Sequence, residues 1–346
     1  VGGPALRAMT FHERAKMLKA LALSLSEQKD ALYEASYATG ATLEDHMIDV
    51  DGGIGTMLVI ASKGRREMPN AHVYVDGQVE HLSRSGQFVG QHIYTPKLGV
   101  AVHINAFNFP VWGMLEKMAP ALLAGMPVIV KPATATCQVT ELAFQMIIAS
   151  GLLPAGAVQL ITGDLGNLMD HLGGQDVVSF TGSEATGRHL RTHPALIQNA
   201  VHFMAEQDSL NASVLGADVA VGSAEFDLFV KEVHREITVK AGQKCTAVRR
   251  VMVPDHLLDP VQAALIERLA NTPIGNPRHP DTRMGALVSL SQRRDVLEKA
   301  AQIGAEADCV FGAGDMPVLI DADAEKGAFV APRLFRCETP DQAQAV

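Results

Sequence analysis

Cysteine is scarce in this sequence: Cys137, Cys245, Cys309 and Cys337 are the only four in 346 residues, and no two of them form a CxxC pair. That spacing argues against a zinc ribbon and a disulfide framework, and it points to a reducing, cytoplasmic setting. Positive charge is also in deficit. With 29 Lys and Arg against 38 Asp and Glu, the net charge is -9, and no basic run is interleaved with aromatics. Nucleic acid and anionic membrane are therefore not the expected partners. Apolar runs such as residues 100–102 and 127–130 are far too short to span a bilayer, and no signal peptide opens the chain, so a soluble protein is expected. A GxGxxG following a strand is missing as well. The GAG at residues 312–314 stands outside any βαβ pattern, so the ordinary dinucleotide fingerprint is absent.

What is present is alternation. Thr10 and Glu13 form a capping-box pattern ahead of Met17, Leu18, Leu21 and Leu25 at helical spacing. Ser26 with Asp30 is expected to begin a second helix, which Gly40 would end in left-handed geometry. A helical middle at residues 53–65 gives way to a period of two, with Asp76-Gly77 as the hairpin turn signal. Beyond it, helix is expected over residues 110–123, 136–150, 165–172 and 185–192. Strands are expected at 127–132, 158–162 and 177–181. Repeated β-α wrapping of this kind predicts an α/β, doubly wound parallel sheet.

Three turns at the predicted strand ends could cradle an anion. Lys131 precedes Pro132, Ala133 and Thr134; Gly163 and Gly166 shape a second turn; Gly182 and Ser183 lead into a helix containing Gly187. Each turn alone reads as a helix-entry loop, but three in one sheet favour a nucleotide pocket. Asn105 and Asn108 lie at a strand-to-helix turn, where an amide either donates to an oxyanion or caps the helix; on local grounds the cap is favoured. Glu206, with Asp208 as its rival, reads as a partly desolvated carboxylate. Cys245 follows a flexible, polar approach, Ala241-Gly242-Gln243-Lys244, and reads as a presented nucleophile. Lys240 and Lys244 are expected to raise the local positive potential and so favour the thiolate. The competing reading is a small buried hydrophobe. His189 and His193 lack a third ligand and an HExxH glutamate, so no metal is expected. Asp45, Asp49 and Asp51 miss the EF-hand spacing and read as a solvated acidic face.

Taken in order, six segments resemble the aldehyde dehydrogenase superfamily: FNFP at 107–110, IVKPA at 129–133, FTGSEATG at 180–187, the Glu206 segment, GQKC at 242–245 and GAFVAPRLF at 327–335. The segment at residues 274–289 looks like the family's turn in the catalytic domain. More narrowly, GVAVHINAFNFPVWGMLEK, KPATAT, AEQDSLN and VKAGQKCTAVRR resemble one branch of that superfamily. It oxidises ring-opened semialdehydes of CoA thioesters in aerobic phenylacetate and benzoate catabolism, such as oxepin-CoA or 3,4-dehydroadipyl-CoA semialdehyde.

The resemblance implies a Rossmann-type cofactor domain at 1–75 and 98–207, a β-hairpin oligomerisation insert at 76–97 and an α/β catalytic domain at 208–346, incomplete at its C-terminus. It makes Cys245 the nucleophile, Asn108 an oxyanion donor, Glu206 the base that activates water and Lys117 a proton-relay lysine. Lys131, Pro132, Ala133, Thr134, Gly163, Gly166, Phe180, Thr181, Gly182, Ser183 and Gly187 would form the cofactor site. Thr134 stands where NAD-preferring relatives carry Glu, which favours NADP while leaving NAD open. The implied substrate is a small aldehyde linked to CoA, and the implied assembly a homodimer of the full-length parent. By the same resemblance some fifty residues precede Val1, and a segment carrying a cofactor-contacting Glu follows Val346. The isolated chain is therefore expected to bind cofactor weakly. A CoA-acylating dehydrogenase and a non-catalytic nucleotide-binding fragment remain as alternatives.

Overall fold

The computed structural model describes residues 1–314, 316, 318–341 and 343. Asp315, which follows the GAG turn, and residues 344–346, the end of the expected catalytic domain, lie outside the described residues. The chain divides into two compact units, Val1–Tyr33 with Met47–Gln207, and Glu34–His46 with Asp208–Val346.

The first unit opens with helices α1 (Gly2–Arg7), α2 (Phe11–Ser26), α3 (Lys29–Ser36) and α4 (Leu43–Arg66), the last two running across the division at residues 34–46. The capping box at Thr10 is formed in both directions, and α2 buries Met17, Leu18, Leu21, Ala22 and Leu25. Helix α3 starts at Lys29 rather than at Ser26, while Gly40 (φ 82°) does terminate the short turn that follows it.

Strands β1 (Tyr74–His81) and β2 (Val89–Tyr94) pair antiparallel in register from Tyr74↔Tyr94 to His81↔Val89. The hairpin turn is not at Asp76-Gly77. Gly77 lies inside β1 with φ 68°, where the register shifts between Asp76 and Glu80. The reversal is at residues 83–88 instead, where Ser83 Oγ accepts from Phe88 N (3.1 Å) and Gly86 takes φ 68°. A bulge and a turn both favour a residue with positive φ, so Asp-Gly alone could not separate them.

The rest of the unit is β3 (Ala101–Ile104), α5 (Trp112–Leu123), β4 (Val128–Lys131), α6 (Cys137–Ala149), β5 (Val158–Leu160), β6 (Val177–Gly182), α7 (Glu184–Arg191), α8 (Pro194–Gln198) and β7 (His202–Gln207). The expected helix at 165–172 is only a short 3-10 turn at Leu168–His171. The five strands make one parallel sheet in the order β5-β4-β3-β6-β7. Central parallel strands are largely apolar: β3 (AVHI) is buried throughout with His103 as its one polar residue, and β4 (VIVK) is apolar up to Lys131 at its carboxyl end. Alternation along β3 sends Val102 and Ile104 into a cluster with Val178, Phe180, Leu172, Leu190 and Leu196. His103 takes the other face, towards α5.

The second unit contains β8 (Asn211–Val214), α9 (Ala224–Thr238), β9 (Val248–Met252), α10 (Asp255–Ala270), α11 (Leu290–Ile303), β10 (Asp308–Phe311) and β11 (Leu334–Arg336). β8 and β9 pair parallel, β10 and β11 antiparallel. Its main core joins Phe226, Val230 and Val233 of α9 to Leu257, Val261 and Leu265 of α10. Among the described residues, no helix is long and apolar enough to cross a membrane.

Candidate active site

The strand order reverses at β3, with β4 and β5 laid down on one side and β6 and β7 on the other. In an open parallel sheet, the carboxyl ends on either side of that reversal leave a crevice for ligand. Asn105, Ala106, Phe107 and Asn108 leave β3 there, beside the end of β6.

This loop is tied down from three elements. Asn105 N donates to Lys131 O of β4 (3.0 Å), Thr136 Oγ1 donates to Phe107 O (3.1 Å), and Thr140 Oγ1 of α6 donates to Pro110 O (2.9 Å). From α4, Asp49 accepts from Val111 N (3.2 Å) and Trp112 N (2.8 Å). The start of α5 is thus capped by Asp49, not by Asn105 or Asn108. Asn108 is half-buried and its side chain makes no hydrogen bond to any described residue, so its amide donors are uncommitted. Asn105 is buried (5% exposed), with both amide atoms unpartnered among the described residues.

Lys117 lies on α5 with its side chain 11% exposed and Nζ 3.5 Å from Glu116 Oε1. His103 lies within its electrostatic reach. Burial, and then the Lys117 charge, push the His103 imidazole down to about 3, so it is neutral at physiological pH.

Lys131 ends β4 opposite Ile104 and is half-buried; Pro132 is buried, Ala133 intermediate and Thr134 exposed at the start of a 3-10 turn. Gly163 (φ 90°) and Gly166 (φ 55°) occupy an exposed loop after β5, where Asp164 Oδ1 accepts from Gly166 N (2.7 Å). Phe180, Thr181 and Gly182 end β6, and the Ser183 hydroxyl caps α7 by accepting from Thr186 N (3.3 Å). A Cβ on Gly182 would lie 2.6 Å from Phe180 Cζ, and one on Gly187 would collide with Gln207 Oε1. Glycine at these two positions lets the helix entrance approach the strand end closely. Lys131 therefore stands at the end of β4 and Gly182 and Ser183 at the end of β6, the two strands that flank β3, whereas Gly163 and Gly166 belong to the outer β5 loop.

Glu206 lies in β7 paired with Thr181, and it is exposed. The desolvation expected for it is not present: β7 is the edge strand of the sheet, and its residues alternate between exposed and half-buried.

In the second unit, Cys245 is exposed while Cys137, Cys309 and Cys337 are half-buried. Its carbonyl accepts from Ser209 Oγ (2.5 Å) and Asn211 Nδ2 (2.5 Å), and Asn211 Nδ2 also reaches Ala247 O (3.1 Å). The expected role of Lys244 is not met. Its side chain is 7% exposed and Nζ is 2.7 Å from Glu236 Oε2, so its charge is compensated by a carboxylate.

Nor is the approach to Cys245 flexible. Lys240 (φ 53°), Ala241 (φ 51°) and Gly242 (φ 71°) are three consecutive left-handed residues, a conformation costing a side-chain-bearing residue about 1–2 kcal/mol. The run is pinned by Lys240 N donating to Asp45 Oδ1 (2.8 Å), Gln243 N donating to Lys240 O (3.0 Å) and Val288 N donating to Gln243 Oε1 (3.1 Å).

Asp45 and Asp49, each 2% exposed, are thus buried anchors for backbone N–H groups, and Asp51 accepts from Lys29 (2.9 Å) and Tyr33 (2.5 Å). The solvated acidic face read from the sequence is not there. His193 caps α8 by accepting from Ala195 N at Nδ1 (3.3 Å), and His189 is exposed.

A profile described as the aldehyde dehydrogenase family matches residues 2–345. The chain belongs to the aldehyde dehydrogenase family. It is 43% identical over 338 residues to a 3,4-dehydroadipyl-CoA semialdehyde dehydrogenase of Aromatoleum evansii, covering 97% of this chain and 65% of that protein. A betaine aldehyde dehydrogenase of Bacillus subtilis (strain 168) is 27% identical over 334 residues, with 93% and 63% covered. Among solved structures, betaine aldehyde dehydrogenase from Staphylococcus aureus in complex with NAD+ superposes with a TM-score of 0.82 at 27% identity, over 95% of this chain and 62% of that one. The chain thus has the aldehyde dehydrogenase fold and spans just under two thirds of the length of these relatives.

Proposed function

We propose that the protein carrying this chain is a cytoplasmic enzyme that oxidises the semialdehyde of a CoA thioester to the carboxylate, with NADP as hydride acceptor. The reading is carried by one observation: Cys245 is the exposed thiol, on a loop whose carbonyl is held by Ser209 and Asn211 of the same AEQDSLN segment that supplies Glu206. The 43% identical relative supports the substrate class.

In this reading Cys245 Sγ bonds to the aldehyde carbon and the carbonyl electron pair moves to oxygen. The resulting alkoxide is stabilised by the Asn108 amide and the Cys245 backbone N–H. NADP, when bound, supplies the hydride acceptor that converts this adduct to a thioester. Glu206 then takes a proton from water as its oxygen attacks the thioester carbon; the C–S bond breaks, the thiolate returns, and the carboxylic acid is released as its anion. Exposure of Glu206 lets its proton pass to solvent, with Lys117 as the relay group. Fit to a dinucleotide is supported by the crevice beside β3, the cationic Lys131 and the close glycine entrance at Gly182. Lys131, Pro132, Ala133, Thr134, Phe180, Thr181, Ser183 and Gly187 would hold it, with Gly163 and Gly166 at its margin. The exposed Thr134 leaves no carboxylate to repel a 2′-phosphate. The second reading, transfer of the acyl group to CoA, is disfavoured by the presence of Glu206.

The test is a single-turnover assay with a CoA-linked semialdehyde and NADP. A burst of NADPH that is lost in Cys245→Ala, with product formed without free CoA, is expected. Product that requires free CoA would select the acylating reading, and a burst surviving in Cys245→Ala would reject the nucleophile.

A further inference from the structure

We infer that Asp45, a buried residue of the helix α4 N-terminus, is a positioning residue for Cys245; the inference rests on Cys245 being the nucleophile. Two sets of bonds converge on its carboxyl group. Oδ2 accepts from Thr42 N (2.9 Å) and Thr42 Oγ1 (3.0 Å), fixing the side chain to its own helix entrance. Oδ1 accepts from Lys240 N (2.8 Å), 195 residues away in sequence. Lys240 is the first of the three left-handed residues, and everything between it and Cys245 is built on that turn. Gln243 N and Nε2 both donate to Lys240 O (3.0 and 2.9 Å), and Lys244 N donates to Gly242 O (2.9 Å).

Only Gly242 of the three adopts positive φ without steric penalty; Lys240 and Ala241 carry a Cβ and relax to right-handed or extended backbone unless held. The Asp45 bond supplies the hold at the start of the run. Ser209 and Asn211 supply it at the end, through the Cys245 carbonyl. Within the run Arg249 Nη2 donates to Gly242 O (2.7 Å) and Val288 N to Gln243 Oε1 (3.1 Å), and Asp45 supplies the hold at its first residue.

The experiment uses the 346-residue chain and three variants, Asp45→Ala, Asp45→Asn and Asp45→Ala with Ala241→Gly. Two readouts are taken by peptide mass spectrometry: amide exchange over residues 239–247, and the iodoacetamide rate of Cys245 with Cys137 as internal reference. In Asp45→Ala, exchange at residues 239–247 should rise at least tenfold while exchange across α9 residues 226–233 stays unchanged. The Cys245 rate should move at least threefold towards its value in the urea-unfolded chain. Ala241→Gly should recover part of both, because it removes the Cβ penalty at one of the two strained positions while Lys240 keeps its own. Asp45→Asn, which keeps one acceptor, should fall between.

Unchanged exchange at 239–247, an equal rise across α9, or no recovery with Ala241→Gly would overturn the inference. A wild-type Cys245 rate equal to its unfolded value would instead reject Cys245 as an activated nucleophile, and the exchange arm would still decide the role of Asp45.

Discussion

The backbone N–H of Trp112 donates to Asp49 Oδ1 at 2.8 Å, so the first turn of the helix carrying Lys117 is capped by a residue 63 positions earlier in the chain. A distant carboxyl here does what an N-cap side chain does locally. Asp49→Ala should destabilise the chain by about 2–4 kcal/mol, combining the lost cap with buried N–H groups left unsatisfied. Asp49→Asn should recover part of the loss, and urea denaturation measures both.

His103 gives the chain a defined acid sensitivity. Burial holds its imidazole down at about 3 in the fold, against about 6.5 when unfolded, so the unfolded state takes up the proton first. Its contribution to stability is complete above pH 6.5 and is lost as pH falls towards 3, at about 1.4 kcal/mol per pH unit. His103→Asn should flatten that part of the stability profile relative to wild type. His46, held by burial at about 4, adds its own loss between pH 6.5 and 4 in both proteins, so the difference curve isolates His103. Parallel profiles for the two proteins would refute the assignment.

Thr134 tests the cofactor reading. Thr134→Glu should weaken NADP binding about tenfold, roughly 1.4 kcal/mol, with less than a twofold change for NAD. Titration with each dinucleotide separates this outcome from a general loss of the pocket.

The β1–β2 ribbon exposes Val79 (48%), Phe88 (64%), Ile93 (55%) and Tyr94 (59%), an apolar surface of the kind that associates in water. Val79→Asp with Phe88→Asp in the parent protein should turn the expected dimer into a monomer in sedimentation equilibrium, while the thermal midpoint measured for the monomer changes little. A wild-type parent that sediments as a monomer would remove the role proposed for this insert.

The sheet was legible where β4 and β6 begin as short apolar runs, at residues 128–130 and 177–178, between helical periods. The strand-end residues Lys131, Gly182 and Ser183 were legible for the same reason, since each stands at the end of a strand that begins this way. The acidic trio was not. Asp45 and Asp49 satisfy N–H groups 195 and 62 residues away, and a carboxyl with remote backbone partners looks the same in sequence as one in water. Lys244 failed similarly, because Glu236 lies eight residues upstream, outside the i,i+4 spacing that marks helical ion pairs. Ser209 and Asn211 carried a weaker hint, two side-chain hydrogen-bonding groups directly after Glu206. The exposure of Glu206 follows from β7 being an edge strand, a property of strand order that local composition does not encode.

That strand order also dictates when the ligand crevice can come into being. Val102 pairs with Ile129 and, on its other side, with Val178. In chain order β3 and β4 are made well before β6. The half-sheet ending in Lys131 can assemble early, and the crevice acquires its second wall only when the chain has reached Gly182. Until then, the open side of β3 is an unpaired parallel edge, open to pairing with other chains.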